Sequence, residues 1–149
     1  MLKALVVNGP NLNLLGKRKE ALYPLKTLEE INQELSQWAK ENQIQLEFFQ
    51  SNSEGELINA IHLAQDKVDF LVLNPGALTH YSYALRDALA GTGIPTIEVH
   101  LTQIYDREEF RKENVISPVC LGTITGFGET GYLLALLAAK KLWAQGKTC

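Results

Sequence analysis

Five short hydrophobic segments alternate with stretches of helical periodicity along the chain. KALVV (3–7), QLEFFQ (45–50), DFLVLN (69–74), TIEVH (96–100) and CLGTITG (120–126) read as strands. Between the first two, TLEEINQELSQWAKEN (27–42) sets Leu28, Ile31, Leu35, Trp38 and Ala39 on one helical face. Thr27 with Glu30, and Ser53 with Glu56, carry the signature of a capping box, so helices are expected to start just after each serine or threonine. A third helix is expected over 81–90, ending at Gly91, and a short charged one at DREEFRKEN (106–114). The last helix is expected from near Thr130 to about Gln145. Its start is apolar almost all round, which predicts burial on more than one side.

Strict alternation of strand and helix predicts a parallel sheet covered on both faces. The expected fold class is therefore α/β: a flavodoxin-like, doubly wound, five-stranded parallel sheet in three layers, forming a single domain over 1–149. Sites in such sheets form beyond the carboxyl ends of the strands. The loops there are Asn8-Gly9-Pro10-Asn11, Ser51-Asn52-Ser53, Asn74-Pro75-Gly76, His100-Leu101-Thr102 and Gly126-Phe127-Gly128, all expected on one edge.

Composition narrows the function classes. Of 149 residues, 46% are hydrophobic and 21% charged, enough for a packed core and too apolar for disorder. A net charge of −3 argues against a nucleic-acid surface, which needs a basic face. The apolar run YLLALLAA (132–139) is too short to span a bilayer, so no membrane partner is expected. MLKALVV runs straight into polar residues and lacks the apolar region of a signal peptide. Cys120 and Cys149 match no metal or redox spacing, and a reducing, cytoplasmic location is expected. Cys120 is expected in a buried strand and Cys149 as an exposed terminal thiol.

Several chemistries can be weighed on the loop edge. GFGETG, with Gly126, Gly128 and Gly131, is literally a dinucleotide-type string between a strand and a helix. No further strand follows it and no acidic residue stands about twenty positions on, so close packing of helix on strand explains the glycines more simply. The first loop offers amides and a proline where flavin phosphate wants free backbone N–H groups and hydroxyls. A phosphate-accepting regulatory domain wants carboxylates where this chain has Asn8, Asn11 and Asn74. The three histidines are scattered. His62 reads as a helix-surface residue. His80 opens a helix beside the Asn74 loop, as a cap or as a substrate ligand. His100 ends a strand, and Glu98 lies on the same face two residues earlier. That pair reads either as a proton donor held by a carboxylate or as a structural buried pair.

The connection between the first strand and first helix, VNGPNLNLLGKRKEALYPLKTL (7–28), takes about twenty residues where about 2–6 are usual. It carries Arg18 and, five residues on, Tyr23. A free tyrosine, with a pKa of about 10, is a poor base at neutral pH. A guanidinium within about 4–6 Å favours the phenolate. Tyrosine and arginine on a closing loop, at about 17–26, facing a histidine acid suggest proton abstraction at one carbon and protonation of a leaving group at another. Amides of Asn11 or its neighbours could stabilise an enolate oxygen. The combination is elimination of water from a hydroxy-carbonyl compound.

NGPNLNLLGKR followed by a tyrosine, SNSEGELINAIH, LNPGALTHYSYALRDAL, IEVHLTQIYDREEFR and GFGETGYLLAL together resemble type II 3-dehydroquinate dehydratase, in order and over nearly the whole chain. The resemblance implies a flavodoxin-like subunit, a homododecamer built as a tetramer of trimers, and no cofactor or metal. It implies conversion of 3-dehydroquinate to 3-dehydroshikimate and water in the shikimate route to chorismate and aromatic amino acids. By the same resemblance Tyr23 is the proton acceptor, Arg18 keeps that base reactive, His100 is the proton donor, Glu98 orients it, and Asn11 lies near the enolate. Asn74, His80 and Arg111 match positions that bind substrate hydroxyls. Leu101, through its backbone, and Thr102 match the carboxylate-binding pair. Asp87 matches an aspartate near the site in a region of contacts between subunits, and Arg107 a lid-associated arginine. Without the resemblance Arg107 and Arg111 read as a solvated charged helix. The chain departs from the family pattern after Gly16, with Lys19, Glu20 and Pro24 in place of glutamate, proline and glycine, and has Gln103 and Tyr105 where asparagine and histidine are frequent.

Overall fold

The computed structural model describes residues 1–17 and 26–146. Its strands are β1 (Leu2–Asn8), β2 (Ile44–Gln50), β3 (Phe70–Asn74), β4 (Thr96–His100) and β5 (Gly122–Thr125); its helices are α1 (Leu28–Glu41), α2 (Glu54–Ala64), α3 (Tyr83–Thr92) and α4 (Thr130–Ala144). The five strands are parallel and lie in the order β2-β1-β3-β4-β5, the flavodoxin-like winding. Period-two alternation divides each central strand between two cores. Leu2, Ala4 and Val6 of β1, with Phe70 and Val72 of β3, pack against α1 and α4. Leu5 and Val7, with Leu71 and Leu73, pack against α2 and α3. The unbroken apolar run of β3 is thus a strand buried on both faces, which places the sheet between two helical layers.

Both expected caps form. Thr27 Oγ1 accepts from the Glu30 N–H at 3.2 Å, and Ser53 Oγ from the Glu56 N–H at 3.3 Å. In the second, the Glu56 carboxylate takes the Ser51 hydroxyl, tying α2 to the end of β2. Three segments differ from the sequence expectation. The third helix starts at Tyr83, because Ser82 Oγ accepts from the Leu85 N–H at 3.0 Å and so caps it. It runs through Gly91 and stops at Gly93, whose φ of 68° gives the left-handed turn that ends helices. The charged segment forms two 3-10 turns, Ile104–Asp106 and Glu109–Lys112, separated by an extended Arg107. Cys120 precedes β5 rather than lying in it. The ladder begins only at Gly122, and the half-buried thiol is pushed up to about 12, chiefly by burial. The last helix buries Tyr132, Ala135, Leu136 and Ala139 on one side, while Leu134, Leu137 and Trp143 stay partly exposed on the other.

The carboxyl edge is built by close backbone approach. A Cβ at Gly9 would lie 2.6 Å from the Pro75 carbonyl oxygen, and the Gly9 N–H donates to the Asn74 carbonyl at 2.8 Å. Only glycine lets the loops after β1 and β3 touch in this way. Gly9→Ala is expected to lower the unfolding free energy by about 1–3 kcal/mol. Urea denaturation checks this, and an unchanged midpoint would show that the two loops can separate without cost.

Candidate active site

The carboxyl ends of β1, β3 and β4 enclose a cleft of about 170 Å³. Pro10 to Leu12 form one wall, and Asn74, Gly76, Ala77 and His80 a second. His100, Leu101, Thr102 and Ile104, with Arg107 and Arg111, form the third. The strand order reverses between β1 and β3, so the cleft sits at the switch point of the sheet.

His100 and Glu98, one pleat apart on β4, are hydrogen-bonded through His100 Nε2 and Glu98 Oε2. The carboxylate is wholly buried. Its Oε2 also accepts from the Thr79 hydroxyl at 2.7 Å and the Asn114 amide at 2.8 Å, and its Oε1 from Thr123 at 3.4 Å. Burial alone would push the Glu98 carboxyl up. The bond and charge of His100, and then the donors Thr79 and Asn114, outweigh it and hold the group below its ordinary value of 4.5. Glu98 is therefore an anion and a pure acceptor. His100 Nε2 is held as its donor, and Nδ1 is the ring nitrogen not committed to Glu98. Asn114 Oδ1 accepts from the N–H groups of Ile116 and Ser117 at 2.9 and 2.8 Å, which fixes that amide in turn.

His80 closes the 3-10 turn Gly76–His80 and caps no helix, since Ser82 does so. Its Nδ1 lies 2.7 Å from the Glu113 carbonyl and must be the donor there. Burial lowers its pKa, Arg111 and His100 add to this, and the Glu113 carbonyl opposes them in part. The neutral ring leaves Nε2 as an acceptor, suited to a substrate hydroxyl. Phe110 braces this wall: its ring stands edge-on to His80 at 5.6 Å, and the Arg111 guanidinium sits over it at 4.8 Å. Arg107 reaches the Thr102 hydroxyl at 3.3 Å. Two arginines and two histidines thus line the cleft, and no carboxylate does so among the described residues. That field suits an anionic substrate.

Asn11 lines the cleft in the left-handed conformation, φ 71°, and its N–H donates to Asn52 Oδ1 at 2.9 Å. Asn74 is almost fully buried. Its Oδ1 accepts from the Gly76 N–H at 3.2 Å and its Nδ2 donates to the Tyr132 hydroxyl at 3.0 Å. Of the residues singled out from sequence, Asn11, Asn74, His80, His100, Leu101, Thr102, Arg107 and Arg111 meet here, with Glu98 behind His100. Asp87 lies exposed on α3 and outside the cleft lining, and His62 is exposed on α2. Arg18 and Tyr23, and the body of the expected lid, fall outside the described residues, as does Cys149. Thr79, Asn114, Thr123 and Tyr132 were not singled out. None of the four carries a signal within its own segment; Thr123, for one, comes opposite Glu98 only through the β4/β5 register.

A flavodoxin-like sheet whose switch point holds a carboxylate-supported imidazole in a cationic cleft gives an α/β enzyme a group suited to acid–base chemistry. The chain belongs to the class II dehydroquinase family, whose model matches residues 2–140. It is 59% identical over 141 residues to the 3-dehydroquinate dehydratase of Pelotomaculum thermopropionicum, covering 95% of this chain and 98% of that protein. Among solved structures, the type II dehydroquinase of Butyrivibrio crossotus superposes with a TM-score of 0.90 at 45% identity, over 93% of this chain and 97% of that one. The type II dehydroquinase of Propionibacterium acnes also gives 0.90, at 39% identity, over 95% and 97%.

Proposed function

We propose that this chain, as a single catalytic domain, removes water from 3-dehydroquinate to give 3-dehydroshikimate in the shikimate pathway. The observation that carries the reading is the Glu98–His100 pair at the floor of a cationic cleft. In the proposed trans elimination, Tyr23, kept reactive by Arg18, takes a proton from the carbon beside the ketone. The electron pair of that C–H bond moves to the carbonyl oxygen as an enolate, stabilised near Asn11. The enolate then collapses to the conjugated enone as the C–O bond to the leaving hydroxyl breaks. His100 delivers the proton that turns this hydroxyl into water, and Glu98 holds the ring. Asn74, His80 and Arg111 bind substrate hydroxyls, Leu101 and Thr102 the carboxylate, and Arg107 supports that wall. Every electron pair is accounted for between substrate, base and acid, so the scheme calls on no cofactor.

Adding 3-dehydroquinate to the purified protein and following the ultraviolet absorption of the conjugated enone tests the reading. A steady rise is expected. No rise from well-folded protein would overturn it in favour of a non-catalytic scaffold, and a yellow protein would point to flavin.

The proposal extends to a cytoplasmic homododecamer, a tetramer of trimers. Family likeness supports it, as do the uncovered apolar side chains Leu134, Leu137 and Trp143 on α4. No helix among the described residues is long and apolar enough to cross a membrane. Light scattering should give a particle far larger than 16.6 kDa, and a fully active monomer across a dilution series would remove this part.

A further inference from the structure

The glycine string at 126–131 has no part in the chemistry above, yet it governs how α4 meets the sheet. A Cβ at Gly131 would lie 3.1 Å from Val99 Cγ1 and 3.6 Å from Ile124 Cγ2. The bare backbone there lets the first turn of α4 press onto β4 and β5. The next residue, Tyr132, is fully buried and carries its hydroxyl to the carboxyl edge of the sheet. Asn8 and Asn74, the last residues of β1 and β3, face each other in register there. The phenol donates its single hydrogen to Asn8 Oδ1 at 2.5 Å, so toward Asn74 Nδ2, 3.0 Å away, it can only accept. At the other end of the amide, the Gly76 N–H can only donate, and it meets Asn74 Oδ1 at 3.2 Å. The two contacts fix which end of the Asn74 amide faces which way. One Nδ2 hydrogen is left over on a side chain that lines the cleft.

We propose that Tyr132 is a positioning residue: its phenol fixes the Asn74 amide so that the remaining N–H meets a substrate hydroxyl. The inference rests on the reading of Asn74 as a substrate ligand. Burial raises the Tyr132 pKa, so the phenol stays protonated and its polarity does not reverse. Without the phenol oxygen, the amide loses one of its two anchors and spends part of its time turned away from the substrate. The reacting atoms are untouched, so the loss falls on binding.

Steady-state kinetics on 3-dehydroquinate with Tyr132→Phe, Asn74→Ala and the double variant decide the matter. Tyr132→Phe is expected to raise KM roughly three- to tenfold, the value of about one hydrogen bond, with kcat within about twofold of wild type. In the Asn74→Ala background it should raise KM no further, a non-additivity that a general loosening of the fold would not produce. Wild-type KM in Asn74→Ala would remove Asn74 as a ligand and the inference with it. Raised KM in Asn74→Ala but not in Tyr132→Phe, or effects that multiply in the double variant, would overturn the inference alone. If Tyr132→Phe does not fold, Asn8→Ala serves in its place. It frees the phenol hydrogen to compete for Asn74, so KM should rise again, and an unchanged KM would count against the proposal.

Discussion

Turnover by His100→Ala is expected to fall by about 10²–10⁴-fold, the usual contribution of a positioned general acid. Hydroxide is a poor leaving group, and in the proposed scheme only the His100 proton makes it water. The variant should still fold. Glu98 keeps Thr79 and Asn114 as donors to Oε2, so the buried carboxylate is not left bare. KM should change much less than kcat, because Arg111, His80 and Thr102 are untouched and the lost interaction belongs to the transition state. Stopped or steady-state assays of enone formation give both constants. Turnover near wild type in a folded His100→Ala protein would mean that another group protonates the leaving hydroxyl. Tyr23→Phe is expected to lose a similar factor, on the strength of family resemblance, since Tyr23 lies outside the described residues.

What could be read from sequence depended on how local the determining contacts are. The two-sided burial of β3 follows from its unbroken apolar run, and the α1 face from 3.6-residue spacing; both are properties of one segment. Glu98 and His100 were legible as a pair because period two puts them on one face of one strand. The other donors gathered around Glu98 were not. Thr79, Asn114 and Thr123 stand 19, 16 and 25 residues from it and meet it only once three connections close over β4. Helix ends failed for a related reason. Gly91 and Gly93 are equally good terminators by composition, and only the path to Ile94, which must enter the second core, selects a left-handed turn at Gly93. The charged segment has helical spacing but no continuous helix: Arg107 is extended between its two turns, and past its end the Val115 N–H goes to the Thr79 carbonyl at 2.8 Å and Asn114 to Glu98. Asp87 came from resemblance alone, and within one subunit it stays on the exposed side of α3, away from the cleft.

The second large effect is expected from Glu98→Gln, where shape is kept and charge is lost. Glu98 Oε2 sits among the His100 ring N–H, the Thr79 hydroxyl and the Asn114 amide, and the Thr123 hydroxyl faces Oε1. A glutamine amide can accept at its oxygen only. Its nitrogen brings two hydrogens into a site furnished with donors, and it meets either Thr123 or the trio at Oε2. The ring of His100 then loses the anion that fixes its orientation, and kcat should fall by about 10²–10⁴-fold, as for loss of the acid itself. Stability changes with a definite pH dependence. In the wild type the folded Glu98 pKa lies below its ordinary 4.5, so the unfolded chain binds more protons near that pH. The stabilisation from the anion is therefore fully present above about pH 4.5 and is lost as pH falls through the lower, folded value. Glutamine does not titrate. Glu98→Gln should be less stable than wild type at neutral pH, and the gap should narrow on acidification below about pH 4.5. Urea midpoints measured across that range give the curve. A gap that stayed constant down to acid pH would mean that the buried carboxylate gains nothing from its donors, and a variant with wild-type kcat would reduce Glu98 to a structural partner of His100.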